Sequence, residues 1–223
     1  IYGDADPTLT YTFNGFLNGE TLASSGITGA PVFTTTANAV SPVGDYSIIP
    51  QVGTLASANY EFSFVNGKLK VDKAVLTVTA DSASRLYGQS NPAFTATYSG
   101  YKNGEDLSTS GVTGAPFLTT NANPLSGAGT YTITIASGSL DAFNYRFSLV
   151  NGTLTVGKAV VTVKANNASR VYGQADPAFT SSYQGFVNGE SYASSGIAGV
   201  PGYTTDATQF SGVGTYTITP STG

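Results

Sequence analysis

The 223-residue sequence contains no cysteine and no histidine. Without cysteine, neither a disulfide framework nor a thiolate metal site can form. Without histidine, the chain lacks the usual general base at neutral pH, the Ser-His and Cys-His nucleophilic pairs and the commonest zinc ligand. We therefore expect a protein that is not an enzyme and that has no cofactor or metal.

Charge is also scarce. Only 10% of the residues are charged, the net charge is −4, and the basic residues do not cluster. Nucleic-acid binding needs a basic surface, so this class of partner is excluded. No apolar run reaches the roughly 18–20 residues that span a bilayer, and the N-terminus does not resemble a signal peptide. We expect an internal piece of a longer protein with no membrane span in this segment.

Residues typical of β-structure and turns are abundant instead. The chain has 27 glycines, 14 tyrosines and 12 phenylalanines, together with many Thr, Ser and Val residues. Aromatic and β-branched residues favour strands, and glycine favours turns. A surface covered mainly by uncharged polar side chains is typical of secreted proteins, so we expect an extracellular location.

Two short motifs recur every 85 residues. Tyr-Gly occurs at residues 2–3, 87–88 and 172–173, and Asn-Gly-Glu occurs at residues 18–20, 103–105 and 188–190. Residues 1–85 and 86–170 are identical at 44 of 85 positions. Such a period indicates a tandem array. We predict copy 1 at residues 1–72 without its opening strand, a complete copy 2 at 73–157, and copy 3 at 158–223 without its closing strands.

Alternation of apolar and polar side chains predicts five main strands and a weaker sixth in the complete copy. The five are residues 74–80, 94–98, 130–135, 145–150 and 153–156, and the sixth is 117–120. Because Asn151-Gly152 separates two alternating runs, we expect a hairpin with a type I′ turn there. The predicted fold is mostly β, a tandem array of small β-grasp-like or immunoglobulin-like sandwich modules that forms an extended rod.

Several of these motifs together resemble the MBG repeats of large bacterial surface proteins of adhesin and haemagglutinin type. The resemblance rests on the spaced set at residues 87–92, 98–100, 103–105, 129–133, 144–145 and 151–156. It covers the whole chain. It implies a cell-surface or secreted location, a stalk or adhesion role and a mostly-β module with little helix, and it brings no catalytic residue or established ligand.

The leading functional hypothesis is a structural or adhesive segment, a stalk or fibre-forming scaffold whose partners are its neighbouring repeats. One alternative is a module that binds glycans or matrix proteins by avidity. Another is a filament subunit in which chains self-associate by β-strand addition at an open sheet edge.

Three tyrosines are candidates for a partner or ligand face. Tyr2, Tyr87 and Tyr172 each precede a glycine in a loop, and loops carry many binding residues. The alternatives for the same position are a contact between modules and a buried corner residue.

Recurring ionisable residues suggest two further candidate sites. An intramolecular isopeptide bond would need a lysine, an asparagine and an acid, and the candidates are Lys73, Lys158, Asn59, Asn144, Glu20 and Glu105. Asp4 and Asp6 suggest a calcium site. Turn and core requirements explain both patterns more simply, because Asp and Asn favour turns and lysine favours exposed positions.

Overall fold

The computed structural model of the protein describes all 223 residues and contains β-strands but no helix. The strands are β1 (Val32–Thr34), β2 (Gly44–Gln51), β3 (Gly67–Val71), β4 (Ala74–Ala80), β5 (Ala83–Leu86), β6 (Ala96–Ser99), β7 (Phe117–Thr119), β8 (Gly129–Ala136), β9 (Tyr145–Val150), β10 (Gly152–Gly157), β11 (Thr162–Ala165), β12 (Ser181–Gln184), β13 (Gly202–Thr205) and β14 (Ile218–Ser221). No helix in the structure is long and apolar enough to cross a membrane. The prediction of a mostly-β tandem array is confirmed.

The chain forms two compact units, and each combines segments of neighbouring copies. The first unit comprises Ile1–Asp81, Thr95–Thr119 and Thr134–Asn151, and the second comprises Ser82–Phe94, Thr120–Ile133 and Gly152–Gly223. The copy boundaries predicted at residues 1–72, 73–157 and 158–223 remain a prediction about the repeat.

Two three-stranded sheets build the first unit. In the sheet β1-β2-β3, the strands of copy 1 pair antiparallel. In the sheet β6-β4-β9, the central strand β4 is antiparallel to β6 and parallel to β9. The end of β8 also pairs with β7 in this unit.

The second unit contains strands of copies 2 and 3. Strand β10 lies between β5, to which it is parallel, and the first five residues of β8, to which it is antiparallel. Two antiparallel pairs, β11-β12 and β13-β14, belong to copy 3. The parallel pairs β4-β9 and β5-β10 set this module apart from the antiparallel sheets of an immunoglobulin fold.

The core of the first unit follows the alternation predicted from the sequence. Ala74, Leu76 and Val78 of β4 are fully buried, and the side chains between them are exposed or half-buried. One buried cluster joins the two copies: Tyr2 and Val71 from copy 1 with Ala74, Leu76, Ala142 and Tyr145 from copy 2. Neighbouring copies therefore share a hydrophobic core.

The predicted hairpin at Asn151-Gly152 is wrong. Strands β9 and β10 lie in different sheets, where they pair in parallel with β4 and β5 respectively. Neither Asn151 nor Gly152 has the positive φ that a type I′ turn needs. Instead, the Asn151 side chain accepts a hydrogen bond from the Ile135 N–H at 3.1 Å. Pairing with two distant strands overrides the local turn preference because it buries Leu154 and Val156.

The strand positions are otherwise close to those predicted. Strands β4 and β9 have the predicted bounds, while β6, β7, β8 and β10 differ by one or two residues at their ends. Strand β5 is missing from the prediction because its sequence, Ala-Ser-Arg-Leu, has no apolar alternation. Its only recorded backbone ladder is with β10.

Candidate interface between repeats

The Asn-Gly-Glu motif forms a tight turn in each copy. Asn103 and Gly104 have φ values of 54° and 73°, and the Glu105 N–H donates to the Lys102 carbonyl at 2.9 Å. Positive φ at both central residues is the signature of a type I′ turn, and asparagine and glycine tolerate it best. The equivalent residues of copies 1 and 3 have the same geometry. The turn places a glutamate at one position in every copy.

The Glu105 carboxylate accepts hydrogen bonds from two tyrosine hydroxyls of different copies. Tyr145, from the same copy, donates to one carboxylate oxygen, and Tyr2, from the preceding copy, donates to the other. The Tyr145 hydroxyl also accepts from the Lys102 N–H at 2.9 Å. The rings of Tyr2 and Tyr145 meet edge to face, with centroids 5.6 Å apart, an arrangement that aromatic pairs favour.

Both tyrosines hold their protons firmly. Burial raises the pKa of Tyr145 to about 12, and the hydrogen bond to Glu105 adds to the rise. The pKa of Tyr2 is also raised, mainly by its hydrogen bond to Glu105 and then by burial. The two hydroxyls are therefore donors at neutral pH, as an ionised glutamate requires.

The glycine of the Tyr-Gly motif allows the next copy to approach closely. Gly3 has a φ of 81°, and a Cβ atom on it would lie 2.4 Å from the Lys102 Cβ. Gly88 has a φ of 85°, and a Cβ atom there would lie 2.6 Å from the Val187 Cβ. Both the backbone conformation and the space thus require glycine. Lys102 also forms an ion pair with Asp4 at 2.8 Å.

The same contact occurs a second time, between copies 2 and 3. The Tyr87 hydroxyl donates to the Glu190 carboxylate at 2.6 Å. In both contacts the tyrosine and the glutamate are 103 residues apart, which is one repeat plus the distance from Tyr-Gly to the glutamate. The Tyr-Gly and Asn-Gly-Glu motifs are therefore the two halves of one interface, which we call the repeat joint.

The candidate tyrosines differ in their surroundings. Tyr2 is 5% exposed and Tyr87 is half-buried, and each contacts the copy that follows it. Tyr172 has no following copy within the 223 residues and is 62% exposed. A Cβ atom on the adjacent Gly173 would meet nothing within 4 Å. Burial of this tyrosine thus accompanies the presence of the next copy.

In copy 1, Glu20 has only the contact within its own copy. Its carboxylate accepts from the Tyr60 hydroxyl, and this hydrogen bond is the main cause of a raised Tyr60 pKa. The Tyr60 hydroxyl accepts from the Leu17 N–H at 3.2 Å, as Tyr145 accepts from Lys102.

The isopeptide candidates make other contacts. The Lys73 ammonium donates to the Ala142 carbonyl at 2.7 Å, and the Asn144 side chain accepts from the Val43 N–H at 3.1 Å. Glu20 and Glu105 bind tyrosines, as described above, and no recorded hydrogen bond joins a candidate lysine to a candidate asparagine or glutamate. Asn59 and Lys158 are exposed. The isopeptide bond stays an untested hypothesis.

The aspartates considered for calcium lie apart from other acidic groups. Asp4 is paired with Lys102, which lowers the Asp4 pKa, and Asp6 is exposed. The structure has no group of three or more His, Cys, Asp or Glu residues that could hold a metal ion.

Sequence reasoning missed a buried arginine on β5. Arg85 is 6% exposed and donates to the Asn91 side chain at 2.7 Å, and to the carbonyls of Leu86 and Asn123. Its counterpart Arg170 makes the matching bonds, to the Asp176 carboxylate at 2.6 Å and to a loop carbonyl. Recurrence of arginine at one position was the signal, because a buried guanidinium must have its donors satisfied.

The fold and the repeat joint define a class of tandem β-repeat protein whose copies share core residues with their neighbours. The chain belongs to the MBG domain (YGX type) family, which matches residues 1–70, 76–155 and 161–223. No curated protein and no solved structure shows a significant match to the chain. The resemblance inferred from the motifs is thereby confirmed.

Proposed function

We propose that this chain is a stalk segment of a large extracellular bacterial surface protein, with a structural or adhesive role and no catalysis. The observation that carries the proposal is the repeat joint, which recurs between successive copies with the same partners. Residues that recur for this purpose hold copies together, and a chain of such contacts suits a mechanical spacer.

The covalent connection between copies supports the same role. Only Asp72 and Lys73 separate β3 of copy 1 from β4 of copy 2. The Asp72 carbonyl accepts from the Tyr2 N–H at 2.8 Å, and the Lys73 ammonium donates to the Ala142 carbonyl. Both linker residues are thus bonded to flanking segments, so the connection lacks the freedom of a Gly/Ser linker.

The repeat joint and the short connection act on the same boundary, so we expect a stiff, extended array. Its partners are the neighbouring repeats of the same protein, and a surface of uncharged polar residues suits an extracellular spacer. A ligand face built on Tyr2, Tyr87 and Tyr172 has less support, because the first two hydroxyls are engaged by glutamates.

Small-angle scattering of the purified monomer tests the stalk. We expect a radius of gyration of roughly 25–30 Å, against about 17 Å for a compact globule of this length. The double variant Tyr2→Ala/Tyr87→Ala removes both halves that reach the next copy, so we expect a broader distance distribution. Tyr172→Ala, at the exposed equivalent position, serves as the matched control and should leave the scattering unchanged.

A compact monomer near the globular value would contradict the stalk. So would a double variant that scatters like the Tyr172→Ala control, because the repeat joint would then have no part in holding the copies in line.

A further inference from the structure

Copy 3 carries a groove of about 670 Å³. Residues 165–170 form one wall and residues 214–218 form the other. All of these residues lie in the second unit. The groove contains apolar and aromatic side chains, among them Phe179 and Tyr216.

In copy 2, the same place in the sequence pattern is occupied by a strand. The walls correspond to β5 and to the first part of β8, and β10 pairs with both. Its side chains Leu154 and Val156 are 0% and 2% exposed. Within the 223 residues, copy 3 has no counterpart of β9 or β10.

The walls of the groove have lost the structure that β10 supports. Residues 168–171, the counterparts of β5, form no strand. Strand β14 begins at Ile218, although its counterpart β8 begins at Gly129, 85 residues before Gly214. Residues 214–217 are thus the part of the strand whose counterparts pair with β10 in copy 2.

This comparison shows what the groove lacks. A strand placed there would give ladder partners to backbone groups on both walls, and two of its alternate side chains would enter the apolar interior. Addition of an extended segment to such an edge is a known mode of peptide recognition. In the register of copy 2, Leu154 would face the position of Tyr216 across the antiparallel ladder.

We propose that the copy 3 groove is a strand-acceptor site, which binds an extended segment of the β9-β10 type supplied by another copy of this repeat. The segment runs parallel to residues 168–171 and antiparallel to residues 214–218. Recognition depends on leucine and valine at alternate positions facing inward. The proposal goes beyond the stalk role and does not depend on it.

The probe is a synthetic peptide with the sequence of residues 145–157, and the readout is amide hydrogen exchange of the full chain. At a peptide concentration ten times its Kd, found by titration, exchange in residues 214–217 should slow roughly tenfold by mass action. A control peptide with aspartate in place of the residues equivalent to Leu154 and Val156 should have no effect.

Copy 1 provides an internal control. Its second groove, lined by residues of 11–16 and 60–65, lies between the counterparts of β6 and β9 and lacks a β4-type strand. The peptide should therefore leave exchange in these segments unchanged. Equal slowing in copies 1 and 3, or no slowing at millimolar peptide, would overturn the proposal.

A chain extended after Gly223 by the sequence of residues 139–157 tests the location. The added segment supplies the missing strands within the chain, so we expect a higher Tm and complete loss of peptide binding. If the extended chain binds the peptide as well as the original chain does, the groove is not the acceptor.

Discussion

Copies 2 and 3 of the repeat differ more in secondary structure than in sequence. They are identical at 28 of the 53 positions that both contain, and residues 129–134 and 214–219 share the sequence Gly-Thr-Tyr-Thr-Ile-Thr. In copy 2 all six residues belong to β8, but in copy 3 only Ile218 and Thr219 belong to a strand. The strand β10, present only in copy 2, makes the difference.

The comparison teaches that a strand in this module depends on its partners. Ile133 is fully buried in copy 2, and its counterpart Ile218 is half-buried. Copy 1 shows the same dependence at its other end, since the counterparts of β6 and β9 form no strands where a β4 equivalent is absent. Backbone groups form a ladder only when a neighbouring strand supplies the matching donors and acceptors.

The largest effect should come from the strand that distinguishes the copies. Leu154→Ala in β10 removes a fully buried side chain and should lower the free energy of unfolding by about 2–5 kcal/mol. Leu69→Ala, at the equivalent and only half-buried position of β3, should cost clearly less. Urea unfolding compares the two, and equal losses would show that the flanking strand β5 adds nothing to burial.

Alkaline pH should weaken the complete copy before neutral pH does. Because the folded-state pKa of Tyr145 is raised to about 12, its stabilising contribution is full below the unfolded pKa near 10 and is lost as pH rises through 12. The loss is at most about 3 kcal/mol for a shift of two units. Urea unfolding between pH 9 and pH 12 measures it.

Tyr145→Phe is the control for this titration. The variant starts from a lower stability, since Glu105 loses a donor, but its stability should fall less steeply over the same pH range. Identical pH profiles of the variant and the original chain would contradict the assignment to Tyr145.

The glycines of the Tyr-Gly motif separate contact from conformation. Gly3, Gly88 and Gly173 all have positive φ, but only the first two face a side chain of a following copy. Gly88→Ala should therefore cost about 1–3 kcal/mol more than Gly173→Ala, which is the typical penalty of overpacking. Thermal unfolding measures the difference. Equal costs would mean that backbone strain alone selects glycine here.

The smallest expected effect is loss of one hydroxyl at the repeat joint. Tyr2→Phe keeps the buried ring but leaves Glu105 with one donor, at a cost of about 1.5–3 kcal/mol for a hydrogen bond to a charged group, near the lower end because the carboxylate is half-buried. Tyr172→Phe, at the exposed equivalent, should stay within about 0.5 kcal/mol. A Tyr172 variant as damaging as the Tyr2 variant would show that the hydroxyl acts within its own copy.

Much of the module could be predicted from local pattern. The strict alternation of Ala74, Leu76 and Val78 predicts a strand with one buried face, and the structure has it there. The turn signal of Asn-Gly was less reliable: Asn103-Gly104 has the positive φ values, while Asn151-Gly152 does not. Both dipeptides have the same intrinsic preference, and only the pairing of β10 with β5 and β8 distinguishes them.

The sequence by itself determined the 85-residue period, the β class, the buried face of β4 and membership of the MBG family, because these depend on short-range pattern and recurrence. Tertiary structure alone decided that Tyr2 meets Glu105, and whether Gly-Thr-Tyr-Thr-Ile-Thr is a strand. The physical reason is that both outcomes depend on segments distant in the chain, which supply a carboxylate or a ladder partner that no local pattern encodes.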